Sequence, residues 1–207
     1  MQSIKKSPEP QSLTKFNRTS HSNWSDIHTD ANKHVYDDCI LQCMVDQMNL
    51  CGYTELCLDN GMKHIDHYIK RDINPKLTFN WGNMIAAIKD SRFGADYKDN
   101  VVSRVDYDPI TKQYKHIYNP LVDDLSGKFC FDTNGFMRPI DSADVKAQTT
   151  IDVFNLNEDS LQACRCDIME YVRDMRQGGM SDEEIREFLA SSGFVTALEY
   201  ELSQKEL

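Results

Sequence analysis

In the segment His64-Ile65-Asp66-His67 a carboxylate and an imidazole stand side by side. The carboxylate suits a hard cation such as Mg2+ or Mn2+. A neutral imidazole, with a pKa of about 6.5, accepts a proton at working pH. Hydrolysis of a phosphodiester needs such a set: a base for the water, a cation on the phosphate, and ligands for that cation. Lys70-Arg71 follows at once, and Lys63 and Lys76 extend the basic stretch. Most Asp-His doublets are incidental, so the surroundings carry the weight. His64 lies two residues before Asp66, and on an extended strand both face one way; it assists the site or braces it by hydrogen bonding. Leu56-Cys57-Leu58 and Asn60-Gly61 precede the doublet, where a hairpin would present it.

The elements that must position these residues are read from pattern. The chain has 207 residues, enough for one domain or a compact core with a helical appendage. Residues 1–30 are polar, with Pro8 and Pro10, and read as an extended or disordered arm. Apolar spacing predicts a helix from Ala31 to Met48. Asp132-Thr133-Asn134-Gly135, between Phe129-Cys130-Phe131 and Phe136-Met137, predicts a hairpin. Leu161, Cys164, Ile168, Tyr171 and Met175 form one helical stripe that Gly178-Gly179 ends. Ser181 with Glu184 is a capping box for the next helix, and a short last helix is expected over Val195 to Glu201.

Charge and composition exclude several classes. A net charge of −10, with most of the acidic excess from Asp141 onward, is unlike a protein that grips DNA unaided. It leaves room for a nuclease that a partner delivers to its substrate. No apolar run approaches the roughly 20 residues of a membrane span, and no apolar stretch follows Lys5-Lys6 to make a secretory signal. A cytoplasmic location is expected, and the seven cysteines then read as thiols or metal ligands rather than a disulfide framework.

His64 through Arg71, then Leu77-Thr78-Phe79-Asn80-Trp81-Gly82-Asn83-Met84, then Tyr97-Lys98-Asp99, resemble the HNH endonuclease signature. Further blocks in the same order are similar to the PtuB type of that family: Asp46-Gln47, Leu50 through Glu55, Asn119 through Asp123, and Ala147 through Ile151. Such proteins serve Septu and retron-linked anti-phage defence beside an ATPase, PtuA. The resemblance implies an α+β fold, a ββα-metal (HNH) nuclease core embedded in a mainly helical small domain with a β-hairpin. The divisions are an arm over 1–30, the nuclease core with flanking helix and hairpin over 31–157, and a helical region over 158–207. It implies cleavage of DNA, or of RNA, with one Mg2+ or Mn2+ and a PtuA-like ATPase subunit as partner. His67 would be the base, with Asn83 shaping the loop beside it and His64 assisting. Asp66 and Asp96 would bind the metal, with Asp90 and Asp99 as alternatives to Asp96. Lys70, Arg71 and Lys98 would meet nucleic acid. A catalytically silent HNH-like subunit of the same kind of complex is the alternative.

The sequence departs from the family at two places. Two Cys-x-x-Cys zinc knuckles are reduced to Cys51-Gly52-Tyr53-Thr54 and Ile88-Lys89-Asp90-Ser91, so a structural zinc is not expected. Arg92 stands near the position of the usual helix ligand, which it cannot replace. The segment past Gly178 is the expected place for a partner to dock.

Overall fold

The computed structural model describes residues 1–21, 23–60 and 62–204, with Asn60 described in its backbone only. It is an α+β chain of short helices around small antiparallel ribbons. In order it runs α1 (Gln11–Phe16), a 3-10 turn (Trp24–His28), α2 (Lys33–Asp46), β1 (Lys63–His67), β2 (Met84–Ile88) and α3 (Gly94–Val101). Then come β3 (Tyr107–Asp108), β4 (Gln113–Tyr114), β5 (Phe129–Phe131), β6 (Met137–Pro139), α4 (Val145–Val153), α5 (Asp159–Gln177), α6 (Asp182–Leu189) and α7 (Val195–Ser203). No helix among the described residues is long and apolar enough to cross a membrane.

The β1–β2 ribbon is the centre of the molecule. Lys63 faces Ile88 at one end and His67 faces Met84 at the other. Met84, Ile85, Ala86 and Ala87 are all fully buried, because α2 and α3 both pack on β2. The outer edge of β2 is completed by a side chain rather than a strand. Gln47 donates to the Ala86 carbonyl at 2.8 Å and accepts from the Ala86 N–H at 2.9 Å, as a neighbouring peptide would. The long connection over 68–83 is pinned at its mouth by Asn83. Its Oδ1 accepts from Ile69 N at 2.8 Å, its Nδ2 donates to Ile69 O at 3.0 Å, and its own carbonyl accepts from Tyr68 N at 3.0 Å. This is the loop-shaping geometry expected of Asn83.

The structure differs from the sequence reading in three places. β1 pairs with β2 across the long loop, and among the described residues the stretch before it forms no hairpin with it; Cys57 bridges Leu50 instead. Gly61, the second residue of the expected turn, lies outside the described residues. Residues 1–30 do not hang free. Leu13, Phe16 and Ile27 are buried, Ile4 N donates to Pro120 O at 2.7 Å, and Trp81 donates to Ser7 O at 2.8 Å. The polar count hid a few apolar anchors at wide spacing, and anchors decide docking. On α5 the buried stripe is Leu161, Arg165, Ile168, Met169 and Val172, while Tyr171 is 52% exposed.

The α5 face turns as it does because the β5–β6 hairpin sits on it. Gly135, at φ +77°, lies so close that an added Cβ would come within 2.3 Å of the Gln162 carbonyl oxygen. Arg165 Nε donates to the Gly135 carbonyl at 2.7 Å. The capping box of Ser181 and Glu184 forms as read. Arg176 then ties the end of α5 to Asp182 and to the Leu202 carbonyl, so α6 and α7 fold back on α5 despite the Gly-Gly.

Leu13→Ala is expected to cost about 2–5 kcal/mol in urea unfolding, the usual loss for a buried leucine. A change within about 0.5 kcal/mol, typical of an exposed site, would show that the first 30 residues are an independent arm after all.

Candidate functional site

β1 ends at a cavity of about 270 Å3 lined by His64, Asp66 and His67 from the strand, Lys70 and Arg71 from the loop, and Asp96 and Asp99 from α3. Six of the eight residues read from sequence as site residues therefore meet in one place. Asn83 braces the loop from behind. Trp24 and Lys89 also line the cavity and were not foreseen.

His67 is 5% exposed, so the ring is buried at the strand end. Its Nε2 lies 2.8 Å from the Thr78 carbonyl oxygen. A carbonyl only accepts, so Nε2 carries the proton and Nδ1 keeps the lone pair. The Trp24 ring stands edge-on to the imidazole, with centroids 4.5 Å apart, and packs on Phe79 behind. Burial pushes the imidazole pKa down to about 4, against the opposing pull of Asp66 and the Thr78 carbonyl. The ring is thus neutral over the whole physiological range.

Lys98 was expected to meet nucleic acid, and the structure corrects this. The side chain is fully buried and points inward, so no phosphate reaches it. Its Nζ lies 2.7 Å from Asp66 Oδ2, 3.1 Å from Asp99 Oδ1, and 2.9 and 3.2 Å from the His67 and Tyr68 carbonyl oxygens. Tyr53 donates to the same Asp66 oxygen at 2.5 Å. Burial alone would raise the Asp66 carboxyl, but the Lys98 ammonium and the Tyr53 hydroxyl outweigh it and hold the group below its ordinary value.

A divalent ion does not fit this arrangement. Asp66 Oδ2 is shared between an ammonium and a phenol, and Asp96 Oδ1 lies 3.7 Å from His64 Nε2. Among the described residues no group of three or more His, Cys, Asp or Glu side chains is disposed to hold a metal. Asp90, one alternative ligand, lies outside the cavity paired with Arg92 at 2.8 Å; Arg92 also reaches Glu158. Cys51 is buried beside β2 and Cys57 is half-buried, both as thiols.

Of the cavity's cations, Lys70 is half-buried and donates to the Asp99 and Val102 carbonyls at 2.6 and 3.3 Å. Arg71 and Lys89 are exposed. Trp24 escaped the sequence reading because it stands in a polar stretch. The Thr78 contact is a backbone carbonyl, which leaves no trace in residue type. Tyr53 belongs to the Leu50–Glu55 block, whose only sequence signal is the family resemblance, and its pairing with Asp66 has no signal in spacing.

The depressed His67 makes a stability prediction. Unfolded, the ring titrates near 6.5; folded, at about 4. The unfolded chain binds the proton first, so the contribution is fully present above 6.5 and is lost as pH falls from there to about 4. At about 1.4 kcal/mol per pH unit the loss is on the order of 3 kcal/mol. Urea unfolding of the wild type and His67→Gln across this window should show the slope in the first and a shallower one in the second. Equal slopes would place the titration elsewhere.

No family model matches the chain. Over 112 residues, 53% of its length, the chain is 28% identical to the Septu protein PtuB of Bacillus thuringiensis. The matched stretch spans 37% of that protein, well under two thirds of its length.

Proposed function

We propose that this chain is the nuclease component of a Septu-like, ATPase-coupled anti-phage system, cutting DNA at the cavity around His67. The observation that carries the reading is the fixed tautomer of His67 at the end of an antiparallel ribbon, facing a cavity with Arg71 and Lys89 at its rim. The order strand, braced loop, strand, helix agrees with the HNH resemblance of the sequence. The similarity to PtuB supports the defence context.

In this reading water gives a proton to His67 Nδ1 and attacks phosphorus. As it does so the P–O bond to the leaving nucleoside oxygen breaks, and that oxygen takes a proton from solvent. The imidazolium that forms is stabilised by the Thr78 carbonyl and by Asp66 behind it. An imidazole at about 4 is a weak base in the free chain. A phosphate anion beside it favours the charged form and raises it toward working pH. Arg71 and Lys89 neutralise charge on the phosphate oxygens. The ATPase supplies the extended basic groove that a chain of charge −10 lacks.

A second reading is a catalytically silent subunit of the same kind of complex. The engagement of Asp66 by Lys98 favours it. Nicking of supercoiled plasmid by the chain with its ATPase, in Mg2+, in Mn2+ and in EDTA, separates the two. We expect cleavage that His67→Gln lowers by about 10²- to 10⁴-fold with circular dichroism unchanged. Glutamine is used because the ring is buried and alanine would leave a cavity. Wild-type cleavage by the folded variant removes His67 as the base; no cleavage in any condition leaves the silent reading.

A further inference from the structure

We infer that the Lys98 ammonium is the resident cation of this site: it fills an oxygen cage at the end of β1, so Asp66 does not take a divalent ion. Four oxygens surround Nζ within 3.2 Å: Asp66 Oδ2, the His67 carbonyl, Asp99 Oδ1 and the Tyr68 carbonyl. Two carboxylates and two carbonyls are the donor set that hard cations choose. Here the cation is covalently part of α3.

Three features make the occupant permanent. Lys98 has no exposure, so leaving the cage would strand a charge inside the protein without water. An ammonium offers three protons, and four acceptors within reach use all of them. Tyr53 adds a hydroxyl to the Asp66 oxygen that already holds the ammonium, crowding the position from the other side. A second cation on Asp66 would stand a few ångströms from a buried positive charge, and in that low-dielectric setting the repulsion opposes it strongly.

Lys98 is a positioning residue. It touches the carbonyls of His67 and Tyr68 and so fixes the backbone that carries the imidazole, without reaching the cavity where a substrate would lie. Its role in the cage does not depend on whether the chain is a nuclease.

The test is metal binding, with Mn2+ alone as probe, on the full-length chain. Isothermal calorimetry and Mn2+ spin resonance are run on the wild type, Asp66→Asn and Lys98→Met. Methionine keeps the length and volume of the side chain and removes its charge. The wild type should show no Mn2+ site that depends on Asp66. Lys98→Met should gain one Mn2+ per chain, bound at least about tenfold more tightly than any site in the wild type, and the Asp66→Asn/Lys98→Met pair should lose it. A wild-type chain that holds one Mn2+ and loses it in Asp66→Asn overturns the inference. So does a folded Lys98→Met that gains none. If Lys98→Met does not fold, the wild-type and Asp66→Asn titrations decide alone. Cleavage assays answer a separate question. A wild type without the Mn2+ site and without cleavage sinks the nuclease reading and leaves the cage, whereas one with both sinks the cage and leaves the nuclease.

Discussion

A fully buried ammonium must find every one of its partners inside the protein, and Lys98 finds them all at one point, the end of β1. Through it α3 is fastened to Asp66, to the carbonyls of His67 and Tyr68, and to its own Asp99. The strand end cannot fray, because its last carbonyls are held by charge-assisted bonds where water does not compete. The cavity exists because of this. With the backbone of 66–68 fixed from the core side, the Asn83 clamp closes the loop over 68–83. The imidazole is then left one orientation, toward Thr78.

Charge is distributed on a similar plan, with buried cations serving structure and exposed ones lining the cavity. Lys98 and Arg165 are both buried, and both tie a helix to backbone carbonyls elsewhere: Lys98 to the end of β1, Arg165 to the β5–β6 turn. Lys6 is similar, donating to the Met84 carbonyl beneath the ribbon, with burial pulling its pKa down. The exposed Arg71 and Lys89 stand at the cavity instead. Under the proposed function, an acidic surface with a small basic mouth would repel long nucleic acid overall while admitting one phosphate locally.

Much of this was legible in the sequence where one residue type has one physical use. Asn134-Gly135 marked a hairpin turn because that turn needs positive φ. Ser181 and Glu184 marked a cap, and the two-residue spacing of His64 and Asp66 marked a shared strand face, which the structure turns to one cavity. The failures have a common cause too. Composition over residues 1–30 averaged away Leu13, Phe16 and Ile27, though a few anchors suffice to dock a segment. Period alone chose Tyr171 over Met169 on α5, because the face is set by the hairpin that lies on it. The family resemblance put Lys98 on nucleic acid, but burial decides what a lysine can touch. Thr78 acts through its backbone, which the residue type does not encode.

The same facts constrain what the cavity does. Under the proposed function, phosphate binding would rest on Arg71 and Lys89, since Lys98 is sealed in the core and Lys70 is bonded to the carbonyls of Asp99 and Val102. In that reading two exposed cations on a chain of charge −10 would release few counterions, so the chain's own affinity for nucleic acid would be low, with a shallow salt dependence. Arg71 also lies over the Trp24 ring, 5.8 Å from its centroid, and Trp24 is edge-on to His67. In the proposed reading, an Arg71 that moved onto a phosphate would loosen the packing around the imidazole. Binding and the orientation of the proposed base would then be joined through one tryptophan, which comes from the segment that composition would have discarded as an arm.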